Sequence, residues 1–131
     1  MYTLCYVSNE SDEINDENLL LLYEQTVENN HKEQITGVLL YKDGNFFQVL
    51  EGKQKTIKAL FEKIKRDKRH TNLIVLFSKP SSRVFNHYHT GFSIIHNNEG
   101  LESLRNFLVN RKNISTTSAC VAGIVKMFLK A

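Results

Sequence analysis

The segment Ile35-Thr-Gly-Val-Leu-Leu-Tyr-Lys-Asp-Gly-Asn-Phe-Phe-Gln-Val-Leu-Glu-Gly52 decides the fold, because it predicts a β-hairpin that carries a buried amide. Residues 38–41 and 46–50 are rich in strand formers, and the Asp-Gly pair between them is typical of a tight hairpin turn. Side chains alternate between strand faces, so Gln48 shares a face with its apolar neighbours two residues before and after it. An unpaired amide there would cost about 1 to 3 kcal/mol. We therefore expect Gln48 to have a polar partner. That partner is another side chain, a water molecule or a ligand.

The elements around this hairpin predict an α+β domain. Residues 2–8 read as an opening strand, and a helix with an acidic first turn begins at Asp16 and continues through residue 27. Apolar residues spaced i, i+3, i+4 and i+7 from Ile57 predict a second helix over residues 54–66. The short apolar run 73–77 predicts a buried strand, and residues 91–95 predict another. The order βαββαββ indicates a ferredoxin-like, antiparallel-rich sheet with both helices on one face.

The last third of the chain predicts two further helices. Leu101, Leu104, Phe107 and Leu108 mark the first, and residues 114–129 form the second, with a break at Asn113 and N-cap candidates within residues 115–118. We expect this antiparallel pair to cover the free sheet face or to present a surface to a partner. The predicted division is a domain over residues 1–97 and a helical cap over residues 98–131 in the same compact unit.

Length, cysteine usage and hydropathy favour one soluble cytoplasmic domain. A chain of 131 residues has the usual size of a single domain and buries enough surface for its own core. Cys5 and Cys120 lie far apart and form no CxxC pair, which favours a reduced compartment. No signal peptide is recognisable, and the most apolar tail segment, residues 119–129, is too short to cross a bilayer.

The net charge of +3 hides a strong asymmetry along the chain. Residues 1–30 carry seven acidic residues and no Lys or Arg, so all 17 basic residues and seven acidic ones lie in the remainder. The basic remainder is compatible with a nucleic acid or an acidic partner. Solvated helix faces explain it better, because so small a net charge is uncommon in nucleic-acid-binding proteins.

The sequence contains none of the common short motifs that identify a nucleotide-binding or zinc-binding site. There is no Walker loop, no GxGxxG and no zinc pattern. His87 and His89 are two residues apart, with His70 and His96 as possible further ligands, but this spacing indicates exposed histidines more strongly than a metal site. Asn29 and Asn30, taken alone, are more typical of a helix end than of a ligand contact.

Five spaced motifs together resemble the BLUF family of blue-light sensors that use a flavin. They are Tyr6 within residues 2–8, Asn30 before Ile35-Thr-Gly37, Phe47-Gln-Val-Leu-Glu-Gly52, Ile64-x-x-Asp-x-Arg-His70, and Arg83-x-Phe85 followed by Gly91-Phe92. The resemblance covers residues 2 to 96 in the family's order. The two-helix tail is similar to that of short family members, which lack a fused output enzyme and signal through a separate protein.

The resemblance implies a role for each matching residue. Tyr6 would give an electron and a proton to the excited flavin, and Gln48 would switch its hydrogen bonds between the phenol and a flavin carbonyl. Both suit this chemistry, since a phenol can release an electron and a proton and an amide both donates and accepts. Asn30 would hold the polar flavin edge from the end of the first helix, and Asn29 beside it is a further cofactor-binding residue. The remaining implied contacts are Leu22 and Thr26 along the ring, and Lys63, Asp67, Arg69 and His70 near the flavin side chain and its phosphate. The cofactor would be FAD, with FMN or riboflavin possible.

One segment departs from the family pattern. Family members usually have Trp-x-Met before Gly-Phe, whereas this chain has Tyr88 and Thr90 at those two positions. Both are candidates for relaying the signal away from Gln48. A threonine hydroxyl donates and accepts hydrogen bonds where a thioether accepts weakly, so signal output and dark recovery are expected to differ. Lys63 stands where some members have Arg, which weakens any bidentate contact at that position.

Three hypotheses follow from the sequence. The leading one is a non-enzymatic photoreceptor with no membrane or nucleic-acid partner, and the apolar last helix is compatible with a homo-oligomer. The second is a flavin-free or light-insensitive interaction module of the same fold, motivated by Tyr88, Thr90 and the apolar last helix. The third is an RNA-binding sheet, which we discount because the first and third strands lack the aromatic, glycine-spaced pattern of such readers.

Overall fold

The computed structural model describes residues 1–110 and 116–130, except the side chains of His89, Thr90, Leu129 and Lys130. Its strands are β1 (Tyr2–Glu10), β2 (Thr36–Lys42), β3 (Asn45–Gly52), β4 (His70–Pro80) and β5 (Phe92–Ile95). Its α-helices are α1 (Asp16–Lys32), α2 (Gln54–Arg66), α3 (Asn98–Val109) and α4 (Thr116–Lys130), and a 3₁₀ turn covers Tyr88–Gly91. The predicted break at Asn113 and the predicted start of the last helix at residue 114 lie outside the described residues.

The five strands form one sheet in the order β4-β1-β3-β2-β5. β1 pairs antiparallel with both β3 and β4, and β2 pairs antiparallel with β3. The chain therefore has the predicted βαββαββ order and the ferredoxin-like α+β fold. In this sheet Tyr6 of β1 lies directly opposite Gln48 of β3.

The predicted hairpin is present, and its backbone explains two parts of the sequence. Asp43 and Gly44 connect β2 to β3 with φ of 51° and 79°, the left-handed conformation that tight hairpin turns require. Gly37 has φ of 144°, and a Cβ there would lie 1.9 Å from the carbonyl oxygen of Val49. Position 37 thus needs glycine because the backbone of β3 passes too close for any side chain.

Helices α1 and α2 pack on the same face of the sheet, as predicted. Their apolar side chains contact one core cluster of strand residues that includes Tyr6, Phe46 and Leu50. α1 begins where the Asn15 side chain accepts a hydrogen bond from the backbone N–H of Asn18, and two acidic residues fill its first turn. α2 contributes the predicted stripe of apolar residues, with Ile57 fully buried.

Two expectations about these elements are wrong. α1 extends to Lys32 and includes Asn29 and Asn30, which were expected just after the helix. The run 73–77 belongs to an exposed edge strand instead of a buried one: Ile74, Val75 and Leu76 are 59%, 42% and 42% exposed. β4 pairs with β1 on one side only and its register shifts twice, so successive apolar residues reach solvent.

The chain divides into two compact units, Met1–Ile94 and Ile95–Ala131. In the second unit α3 and α4 pack against each other. α3 begins where Asn97 caps the N–H of Gly100, and Leu101, Leu104 and Leu108 are buried. The covering of a sheet face by these helices stays a prediction.

None of the helices within the described ranges 1–110 and 116–130 is both long and apolar enough to span a bilayer.

Candidate functional site

Tyr6 and Gln48 form a buried hydrogen-bonded pair between β1 and β3. The Gln48 Nε2 atom donates to the Tyr6 hydroxyl oxygen over 2.6 Å, and each residue is 4% exposed. This hydroxyl is the side-chain partner that the sequence required for Gln48. Burial raises the pKa of Tyr6 well above its ordinary value of 10, although the hydrogen bond from Gln48 opposes this change. The phenol is therefore fully protonated at neutral pH.

The pair lies in a cleft between α1 and α2, and all ten predicted binding residues line it. These are Tyr6, Leu22, Thr26, Asn29, Asn30, Gln48, Lys63, Asp67, Arg69 and His70. Tyr6 and Gln48 come from the sheet, Asn29 and Asn30 from the last turn of α1, and the charged residues from α2 and the segment after it. A cleft lined from several distant parts of the chain in this way is the usual form of a small-molecule site.

Three buried polar atoms in this cleft have no hydrogen-bond partner among the described residues. They are the Gln48 Oε1, the Asn30 Nδ2 and the Ser8 Oγ. Asn30 is 1% exposed, and its Oδ1 atom accepts from the Asn29 Nδ2 over 3.3 Å. Each such atom carries a desolvation penalty until a ligand or water satisfies it. The cleft thus offers one free acceptor, one free donor and one hydroxyl, among apolar walls.

This donor set fits the heterocyclic ring of a flavin. A flavin ring has carbonyl acceptors and an N–H donor along one edge, and two flat apolar faces. Leu22, Leu39, Leu60 and Ile64 supply apolar side chains to the same cleft. Asn30 and Gln48 are the residues that would hold the polar edge of this cofactor.

Arg69 is held in place by an acidic neighbour at the outer end of the cleft. Its Nε and Nη2 atoms donate to the two Asp67 carboxylate oxygens over 2.9 Å and 2.6 Å, and its Nη1 donates to the Gln25 Oε1. Although burial opposes the change, this guanidinium holds the pKa of Asp67 below its ordinary value, and the same hydrogen bonds raise the pKa of Arg69. The Arg69 charge is therefore already paired within the protein.

His70 has a backbone partner as well. Its Nε2 atom lies 2.6 Å from the carbonyl oxygen of Ile64, a residue in the last turn of α2. The His70 ring also lies 6.2 Å from the Tyr6 ring, measured between centroids. This contact places an imidazole against the phenol on the cleft side of the sheet.

Six lining residues were missed by the sequence analysis. They are Ser8, Gln25, Leu39, Phe46, Leu60 and Ile64. The alternation of strand side chains was enough to find Ser8 and Phe46, since each lies two residues from Tyr6 or Gln48 on the same strand face. Gln25 gave no such signal, because its contact with Arg69 joins positions 44 residues apart.

Tyr88, one of the two predicted relay positions, lies apart from this lining. Tyr88 is 6% exposed and its ring packs at 6.1 Å from that of Phe85. The Thr90 side chain is outside the described part of the structure. Tyr88 therefore lies in the segment before β5 and is not among the side chains that line the cleft.

Glu51 forms a second buried polar network on β3, on the strand face opposite to Gln48. Its carboxylate accepts from the backbone N–H groups of Val84 and Phe85 over 2.6 Å and 3.0 Å, and from the Thr36 hydroxyl over 2.8 Å. Burial raises the pKa of Glu51, while these hydrogen bonds oppose the change. The network fastens the segment 83–85 to the end of the hairpin, and Arg83 donates to the Glu51 carbonyl oxygen over 3.3 Å.

Comparison with known proteins identifies the family. The family model described as "BLUF: Sensors of blue-light using FAD" matches residues 1–91. Photoactivated adenylate cyclase subunit alpha of Euglena gracilis is 34% identical over 80 residues, which are 61% of this chain and 8% of that protein. The solved structure of BlsA in its photo-activated state has a TM-score of 0.71 at 27% identity, and the match covers 99% of this chain and 95% of that one.

A second similar solved structure is a complex with FMN. Klebsiella pneumoniae BlrP1 with FMN and cyclic diGMP has a TM-score of 0.75 at 27% identity, covering 95% of this chain and 34% of that one. This chain thus spans a small part of the cyclase and about a third of BlrP1. With a family model matched over more than half of its length, the chain belongs to the BLUF family of blue-light sensors.

Proposed function

We propose that this chain is a blue-light photoreceptor that binds a flavin non-covalently and signals to a separate partner protein. The observation that carries the proposal is the buried Tyr6–Gln48 hydrogen bond beside an unpaired Gln48 oxygen in a cleft that fits a flavin. The chain itself would act as a sensor and not as an enzyme. We expect it in the cytoplasm, without a nucleic-acid or membrane partner, and its sequence is compatible with a homo-oligomer.

Tyr6 is the proposed donor of an electron and a proton. A bound flavin would supply the light absorption and the acceptor for the electron and proton that leave Tyr6. Because burial raises the pKa of Tyr6, its phenol keeps the proton in the dark and has one to give when the electron leaves. The Gln48 amide donates a hydrogen bond to this hydroxyl, so it lies beside the proton that Tyr6 would release.

Gln48 is the proposed switch. In the dark its Nε2 donates to Tyr6, which leaves Oε1 as an acceptor with no protein partner among the described residues. After light, rotation or tautomerisation of the amide would exchange these roles and direct a new hydrogen bond at the cofactor. An amide suits this task because it carries one acceptor and two donors on the same planar group.

The other lining residues would bind and orient the cofactor. Asn30, with Asn29 hydrogen-bonded to it, would hold the polar edge, and Leu22 and Thr26 would line the ring from α1. Lys63, Asp67, Arg69 and His70 would lie toward the flavin side chain. FAD is the proposed cofactor, and FMN and riboflavin share the same ring contacts. Tyr88 and Thr90 are the proposed relay positions.

An absorption spectrum of the flavin-loaded protein before and after blue light tests this proposal. We expect a small, reversible red shift in wild type that is abolished in Tyr6→Phe and Gln48→Ala. Tyr23→Phe is the matched control, because Tyr23 is a partly buried tyrosine of α1 that does not line the cleft. A protein that binds no flavin, or a bound flavin with an unchanged spectrum, would contradict the proposal and favour the light-insensitive interaction module.

A further inference from the structure

Two runs of exposed apolar residues lie on the surface of the first compact unit. Leu20 and Leu21 of α1 are 62% and 47% exposed, and Ile74, Val75 and Leu76 of β4 are exposed to a similar extent. We call these two runs the α1 patch and the β4 patch. None of the five side chains lines the flavin cleft. Neighbouring apolar residues that stay exposed in this way are typical of a protein–protein contact.

Acidic residues surround the α1 patch. Glu17 and Glu24 lie three or four residues from the two leucines, and Glu28 lies one turn further along, so all three share their helix face. These glutamates are exposed and form no ion pair among the described residues. Residues 1–30 contain no Lys or Arg that could neutralise them. The α1 patch is therefore an apolar centre with an acidic rim.

Basic residues flank the β4 patch. Lys68 precedes the strand and Lys79 lies near its end, and residues 68–98 contain no Asp or Glu. β4 is an edge of the sheet and is 11 residues long, whereas the other edge strand, β5, has four residues. A long edge strand with exposed apolar side chains favours association with another chain. The β4 patch is therefore an apolar centre with a basic rim.

We propose that the α1 patch of one copy of this chain binds the β4 patch of a second copy. The two patches are complementary, because both have apolar centres and their rims carry opposite charges. Contacts between like patches would instead place acidic residues against acidic ones, or basic residues against basic ones. The contact is heterologous, so each copy in a pair keeps one unused patch. Further copies can then add to form a ring or an open chain.

This association goes beyond light sensing and needs no bound flavin. Both patches lie outside the lining of the flavin cleft, so flavin-free protein should associate as flavin-loaded protein does. Val75 lies opposite Tyr6 of β1, which places the contact on the strand beside the one that carries Tyr6. A monomeric protein with an intact light response would overturn this inference and leave the proposed function standing.

Sedimentation velocity of the wild-type protein over a range of concentrations tests the association. Each contact is small, so we expect a dissociation constant on the order of 10 to 100 µM. Raising the salt concentration from about 0.1 M to about 1 M shortens the screening length from about 10 Å to about 3 Å and should weaken association by about threefold or more. A protein that stays monomeric up to about 1 mM, or association that salt leaves unchanged, would overturn the proposal.

Two double variants each remove one patch. Leu20→Gln with Leu21→Gln removes the α1 patch, and Ile74→Thr with Leu76→Thr removes the β4 patch. The new residues suit a helix and a strand at exposed positions, so both variants should fold. Each variant alone should stay monomeric where wild type associates, because its copies carry one kind of patch. Met127→Gln is the matched control, because Met127 is exposed but belongs to neither patch, and it should associate like wild type.

An equal mixture of the two double variants distinguishes the proposed contact from the alternatives. One variant keeps the β4 patch and the other keeps the α1 patch, so one contact can form between them and assembly should stop at a pair. A double variant that associates by itself like wild type would overturn the proposal and indicate a contact between like patches. A mixture that stays monomeric would also overturn it and indicate that the patches bind a different protein.

Discussion

Gln48 and Glu51 are two buried polar residues of the same strand, and their surroundings differ sharply. The Glu51 carboxylate accepts three hydrogen bonds, from Val84, Phe85 and Thr36. The Gln48 amide makes one hydrogen bond, to Tyr6, and its oxygen has no partner within the described part of the chain. The two side chains point to opposite faces of the sheet, so the same strand supports both environments.

The difference indicates which of the two residues holds the fold and which can act. A carboxylate with three partners cannot rotate without breaking several bonds, so Glu51 keeps one conformation and ties residues 83–85 to the hairpin. Gln48 can exchange its donor and acceptor at the loss of a single hydrogen bond. A buried polar group with an unused hydrogen-bond acceptor inside a cleft is therefore the better candidate for a ligand contact.

The largest effect that we expect on stability is from Glu51→Ala. It leaves the N–H groups of Val84 and Phe85 buried without an acceptor, which should reduce the free energy of unfolding by about 3 kcal/mol. Urea denaturation of the flavin-free protein measures the loss. Glu62→Ala, at an exposed residue paired with Lys65, is the control and should leave the free energy of unfolding nearly unchanged. Similar losses in both variants would remove the distinction between Glu51 and Gln48.

Gln48→Leu should affect stability much less than function. Leucine removes an amide whose oxygen lacks a partner but also leaves the Tyr6 hydroxyl without its donor, so the two terms oppose each other. We expect the free energy of unfolding without flavin to change by about 1 kcal/mol or less, with complete loss of the light response. Val49→Ala, at the adjacent buried position, is the control and should cost more because it opens a cavity. A loss from Gln48→Leu as large as that from Glu51→Ala would refute the comparison.

The smallest expected effect is a pH dependence from the Asp67–Arg69 pair. The pKa of Asp67 is held below its ordinary value near 3.8, so the stability it contributes is present above that value and is lost as pH falls through the lower folded pKa. The difference in unfolding free energy between wild type and Asp67→Asn should be about 1 kcal/mol or less at neutral pH and should close below about pH 3.8.

Arg69→Gln provides the complementary test of this pair. It removes the cation that lowers the Asp67 pKa, so the acid-dependent part of the difference should disappear with it. Chemical denaturation at a series of acidic pH values measures both variants. A difference that stays constant down to the lowest pH would show that Asp67 is not held ionised by Arg69.

Local patterns predicted the parts of the fold that depend on neighbouring residues. The Asp-Gly turn, the alternation on β3 and the apolar stripe of α2 each rest on side chains within one element, and the structure confirms all three. The burial of β4 was predicted wrongly because an apolar run does not reveal whether a strand has one neighbour or two. The end of α1 was placed too early because Asn residues are also typical of helix ends.

The candidate site was predictable mainly through the family resemblance. Periodicity placed Gln48 on a buried face, but nothing local connected it to Tyr6, 42 residues earlier. The pairing of Asp67 with Arg69, and the three partners of Glu51, depend on where separate segments meet in space. The sequence therefore named the residues of the cleft without showing that Arg69 is already neutralised.

The most direct test of the central claim is an NMR measurement of the Gln48 side-chain amide, with isotopically labelled glutamine and Gln48→Ala to assign its signals. We predict that flavin binding changes the chemical shifts of the Gln48 amide, because its unpaired oxygen gains a partner. Blue light should change these chemical shifts a second time, and they should return to their earlier values in the dark. Gln54, exposed at the start of α2, should show neither change. Gln48 signals that stay the same on flavin binding and on illumination would contradict the account.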